Sequence, residues 1–128
     1  MMTHATMAAG RWNEYSFAVQ MANIGSDVYR AVSWNKRAEC AHDTTTQQTY
    51  KQLYLESLER AIELIDLTRR NPPSPGIRKE LGRVREAIVS AYLGTAWYDV
   101  TLESLNDYFN FFTLIAAKER HEMFDRIH

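Results

Sequence analysis

The three prolines of this 128-residue chain, Pro72, Pro73 and Pro75, all fall inside one six-residue stretch, "NPPSPG". A proline lacks the backbone N–H and clashes with the preceding helical turn, so no helix runs through this stretch. Elsewhere apolar residues recur at steps of three and four, the spacing of a helix with one face against a core. Phe17, Met21, Ile24, Val28 and Ala31 mark a first helix from about Asn13 to Ala41. The polar run "HDTTTQQT" ends it, and Thr44 with Gln47, or Thr45 with Gln48, has the capping-box spacing that starts a second. That helix carries Tyr50, Tyr54, Leu58, Ala61, Ile65 and Thr68 on one face. It ends near Arg70, where two arginines complement the negative end of the helix dipole.

Ser74 and Pro75 open a third helix as N-cap and first helical residue. Ile77, Leu81, Val84, Ile88, Ala91 and Thr95 then keep a heptad rhythm. Asp99 or Thr101 caps the fourth, whose face is Leu102, Leu105, Phe109, Phe112, Ala116, Met123 and Ile127. No alternating strand pattern or Gly-rich loop competes. The expected fold is therefore all-α, an up-and-down four-helix bundle, with residues 1–128 as one domain and residues 1–11 loose.

Helices three and four carry more apolar surface than one core stripe needs. "YFNFFTLIA", residues 108 to 116, is apolar at seven of nine positions, and Tyr108, Phe111 and Ile115 form a row outside the core set. Gly82, Val89, Leu93 and Ala96 form a similar row on helix three. Large exposed aromatic patches are rare on soluble monomers, so these rows predict a homo-oligomer interface, with a broad core stripe as the competing explanation. Glycine inside a helix costs about 1 kcal/mol relative to alanine, so Gly82 and Gly94 predict close approach by another backbone.

Chemistry-bearing constellations are sparse. Glu39 and His42 match the Glu-x-x-His spacing of di-metal bundles once, and Asp125 with His128 lies at the terminus, so no metal and no cofactor is expected. Arg37 and His42 have the Arg-x4-His spacing that resembles the helical HEPN ribonucleases, in which arginine could hold a phosphate while histidine moves a proton. Walker, Rossmann, zinc-cluster and serine-elbow motifs are missing, and no catalytic residue is expected. The single cysteine, Cys40, excludes an intrachain disulfide and suits a reducing cytoplasm. No membrane span or signal peptide is expected.

The net charge is -1, yet residues 69 to 85 hold Arg69, Arg70, Arg78, Lys79, Arg83 and Arg85 against a single acid, Glu80. Arg69 and Arg70 suit a helix C-terminus. Arg78 and Lys79 stand in the first turn of helix three, where the dipole disfavours cations, and Lys79 and Arg83 make an i,i+4 like-charge pair. Positive charge held against local preference points to an external anion; a solvated corner between two helices is the alternative. The topology should bring this corner beside the start of helix one and the end of helix four.

The helix lengths, the early "VYRAV", the proline-broken hairpin and the aromatic last helix are similar to the four-helix-bundle family of 23S ribosomal RNA intervening-sequence proteins. They also resemble the related accessory variability proteins of diversity-generating retroelements, from about Tyr15 to Phe124. The resemblance implies small cytosolic bundles that assemble into rings, with five-fold barrels known in the family. For the retroelement proteins, which are strongly basic, it implies binding to nucleic acid and to a reverse transcriptase. This chain departs from them in being slightly acidic, and the family pattern offers no catalytic residues to transfer. Three readings stay open: a ring-forming module that binds RNA, DNA or a nucleic-acid-processing protein; a structural protein-interaction scaffold; and a small ribonuclease using Arg37 and His42.

Overall fold

The computed structural model of the chain describes residues 10–95 and 101–127. Ser16, Asp43, Ser74 and Thr101 each accept a hydrogen bond from the backbone N–H three residues on, at 3.2, 2.7, 3.2 and 3.1 Å. Each satisfies a donor that a helix start leaves open, and a helix follows each one. These are α1 (Phe17–Cys40), α2 (Thr44–Arg70), α3 (Pro75–Leu93) and α4 (Leu102–Ile127). The described residues form no strand, and the architecture is consistent with a four-helix bundle.

Two starts differ from the sequence expectation. Asp43, rather than Thr44 or Thr45, caps α2, because its carboxylate accepts from both the backbone N–H and the hydroxyl of Thr46, at 2.7 and 2.8 Å. A charged acceptor outcompetes a neutral hydroxyl here, and the same bonds lower the carboxyl's pKa. Residues Arg11–Glu14 do not extend α1; they form a separate 3-10 helix, with Tyr15 extended behind it. This fold-back inserts Trp12 into the core, only 2% exposed, where its indole N–H donates to Thr68 Oγ1 at 3.0 Å. Arg11 thus already belongs to an ordered element. Residues 1–9, Ala96, Asp99 and His128 lie outside the described residues.

Contacts along the helices fix their directions. Trp34 stacks on Tyr50 near one end of α1 and α2, while Trp12, just before α1, bonds Thr68 at the other. Asp66 and Glu59 of α2 meet Arg85 and Tyr92 of α3. Gly25 and Ser16 meet Phe109 and Glu119 of α4. Successive helices therefore run up and down. α1 lies against both α2 and α4, α3 packs mainly on α2, and α3 meets α4 over a short contact.

The core follows the periodic faces: Met21, Ile24, Val28 and Ala31; Leu58, Ala61 and Ile65; Leu81, Val84 and Ile88; Leu105 and Phe109. Met123 and Ile127 continue the α4 face but are exposed, because from Ala117 to Ile127 only Glu119 is even half-buried. Gly94 is a helix stop rather than a contact point: its φ of 71° is left-handed, and a Cβ there would meet nothing within 4 Å. Gly82 is approached by the Arg69 guanidinium, 3.2 Å from an added Cβ, and not by backbone. No helix among the described residues is long and apolar enough to cross a membrane.

Candidate functional site

The α2–α3 corner gathers the basic stretch at one end of the molecule. Ser74 caps α3 there, Pro75 supplies its first residue, and the chain reverses through Asn71 to Pro73. The 3-10 helix lies beside this end through the Trp12–Thr68 bond, and the second half of α4 reaches it through Ser16, whose hydroxyl donates to Glu119 at 2.7 Å. The 3-10 helix before α1, the end of α2, the start of α3 and the Glu119 region of α4 thus lie toward the same end of the molecule.

The six cations of the corner divide into two groups. Arg85 turns back onto α2 and donates to both carboxylate oxygens of Asp66, at 2.7 and 3.3 Å. That bond raises the guanidinium's already high pKa. Arg69 is half-buried over Gly82, with its Nε shielded from solvent and without a hydrogen-bond partner. These two side chains cement α2 to α3. Arg70, Arg78, Lys79 and Arg83 are exposed, and none forms an ion pair among the described residues. The intervening acid, Glu80, is engaged elsewhere: it accepts the Tyr108 hydroxyl at 2.6 Å across the α3–α4 contact.

The apolar rows are also divided. Tyr108 is half-buried, and desolvation, with the Glu80 bond second, pushes its phenol well above the ordinary value. Ile115, Val89 and Gly82 are half-buried as well. Leu93 and Phe111 are open, at 63% and 61% exposure. Leu114, which the row did not include, is 72% exposed. The row therefore rotates around α4 from Tyr108 and Ile115 toward Phe111 and Leu114, because Tyr108 is drawn into the α3 contact.

The constellations of Arg37, Glu39 and His42 sit at the opposite end. Arg37 lies over the Trp34 ring, 4.8 Å from its centroid, while His42 is exposed just beyond α1. Glu39 accepts a long bond from Asn35 at 3.4 Å, and Cys40 is an exposed free thiol. No group of three or more His, Cys, Asp or Glu side chains capable of holding a metal converges among the described residues. Compared with known proteins, the chain matches no protein-family model, no curated protein and no solved structure.

Proposed function

We propose that this chain is a non-enzymatic, self-associating helical protein that holds nucleic-acid phosphates at the end where α2 turns into α3. The observation that carries the reading is the set Arg70, Arg78, Lys79 and Arg83, all exposed and outside any ion pair among the described residues. Arg78 closes the first turn of α3 and Lys79 follows it, near the helix end that repels cations, and the next residue, Glu80, is bonded to Tyr108. An external polyanion supplies the missing counter-charge. RNA, DNA or a protein that processes them fits this chemistry. The finer form of the assembly, a ring-like cytoplasmic homo-oligomer, is taken from the resemblance to intervening-sequence and retroelement accessory proteins. Arg69 and Arg85 act in this reading as the scaffold beneath the phosphate-binding side chains.

The test is a titration of a short fluorescent RNA, and of the matching DNA, at low and physiological salt. Parent protein is compared with the Arg78→Gln/Lys79→Gln/Arg83→Gln variant. Each phosphate that the variant no longer neutralises lowers the slope of log K against log salt by about 0.7 for a single strand, so the variant binds more weakly and less salt-dependently. These exposed positions lie off the core, and each change costs no more than about 0.5 kcal/mol of stability. A parent that binds neither strand at low salt refutes the reading, and the protein-interaction scaffold replaces it.

A further inference from the structure

The outer face of α4 carries a four-residue stripe that complements itself. Asp107, Phe111, Leu114 and Lys118 follow one another at steps of four, three and four, the spacing of one helical seam. The core residues Leu105, Phe109 and Ala116 point elsewhere, into their own chain. All four stripe residues are exposed, the two apolar ones at 61% and 72%. Neither Asp107 nor Lys118 forms an ion pair among the described residues. The stripe is symmetric about the peptide between Phe112 and Thr113: Phe111 and Leu114 lie equally far from it, and so do Asp107 and Lys118.

We infer that two copies of the chain associate through α4, antiparallel, about a two-fold axis at this midpoint. In that register Phe111 of each copy packs on Leu114 of the other, and Asp107 of each faces Lys118 of the other. Both ends of the seam are thereby closed by opposite charges. One step further out on the seam Ser104 falls opposite His121, which within its own chain stands 3.4 Å from Asp125. A parallel pairing would instead set Asp107 on Asp107 and Lys118 on Lys118, two repulsive contacts. The charge order selects both the occupant, a second copy, and its direction.

This inference rests on the self-association part of the proposed function and specifies its surface. A two-fold contact uses the same patch on both partners and closes on itself, so the α4 stripe alone makes a pair; a ring needs a second surface. The seam from Asp107 to Lys118 spans about 16 Å of helix, a short contact that places the complex at the weak, concentration-dependent end of the range.

The experiment uses the full chain with Cys40→Ser, the mass being followed by light scattering over roughly a hundredfold range of concentration. Asp107→Lys should shift the association midpoint at least tenfold, and Asp107→Lys/Lys118→Asp should restore it, while helical content stays unchanged throughout. Under mild oxidation, Asp107→Cys and Lys118→Cys chains should give a disulfide-linked dimer when mixed and little when kept apart. A monomer at every concentration overturns both this inference and the self-association reading. An oligomer indifferent to the charge swap, or one in which each cysteine chain links to itself, overturns the antiparallel α4 pair alone.

Discussion

Gly25 of α1 faces the side chain of Phe109 in α4 so closely that a Cβ at Gly25 would lie 2.6 Å from Phe109 Cβ. Real Cβ atoms do not tolerate that separation, and the obstructing atom sits next to backbone, with Phe109 Cα 3.7 Å away. It cannot swing aside as a side-chain tip would. Alanine at a helix interior normally stabilises by about 1 kcal/mol relative to glycine. Here overpacking costs about 1–3 kcal/mol and opposes that gain.

Gly25→Ala should therefore destabilise the chain, or at best leave it unchanged, and urea unfolding would read this directly. A lowered urea midpoint with unchanged slope is the expected result. A stabilised Gly25→Ala variant would mean that α1 and α4 separate easily at this point.

Trp12 supplies the second prediction. It is among the largest fully buried side chains, and the Thr68 hydroxyl that accepts its indole N–H in turn donates to the Leu64 carbonyl at 3.0 Å. Trp12→Ala should cost about 3–5 kcal/mol, the scale for emptying a large aromatic site. Thr68→Val keeps the volume but leaves a buried indole donor unpaired, at a cost of about 1–3 kcal/mol. Equilibrium unfolding of both variants checks the order, with Trp12→Ala the more damaging.

The contrast between Gly25 and Trp12 shows what the sequence made legible. The faces of α1 and α2 could be read because each buries one stripe at helical spacing, and Ser74–Pro75 marked the start of α3 without ambiguity. Trp12 was missed because it enters the core from a 3-10 turn, where the 3.6-residue period does not operate. The only sequence signal was a large aromatic between Gly10 and a serine N-cap at Ser16. Gly25 was missed because close approach depends on which residue of a non-adjacent helix lies opposite, and periodicity on one helix says nothing about that. The candidate site was legible as a cluster of charges, but not in its division. That Arg85 reaches Asp66 while Arg83 does not follows from the α2–α3 register, as does the cover that Arg69 gives Gly82. The displacement of the α4 row toward Leu114 has the same origin in the Tyr108–Glu80 bond.

That bond also sets how the fold responds to alkaline pH. Tyr108 is half-buried, and its desolvation, helped by the adjacent Glu80 carboxylate, raises the phenol far above its ordinary value of 10.0. Tyr54 moves in the same direction, mainly through desolvation and secondarily through the Glu103 charge. In the folded chain both phenols keep their protons at a pH where the unfolded chain has begun to release them. The unfolded state then binds fewer protons, so stability falls as pH rises. The contribution of Tyr108 is complete below the unfolded phenol's pKa near 10.0 and is lost progressively above it. Urea midpoints should accordingly be flat through neutral pH and decline once pH passes about 10. Tyr108→Phe removes one of the groups responsible, so its midpoint should decline less steeply over the same interval. At neutral pH the variant loses one hydrogen bond to Glu80 and differs from the parent by about 0.5–1.5 kcal/mol. Parallel curves for the two proteins above pH 10 would show that Tyr108 ionises as readily in the fold as outside it, and that the α3–α4 contact does not shield it.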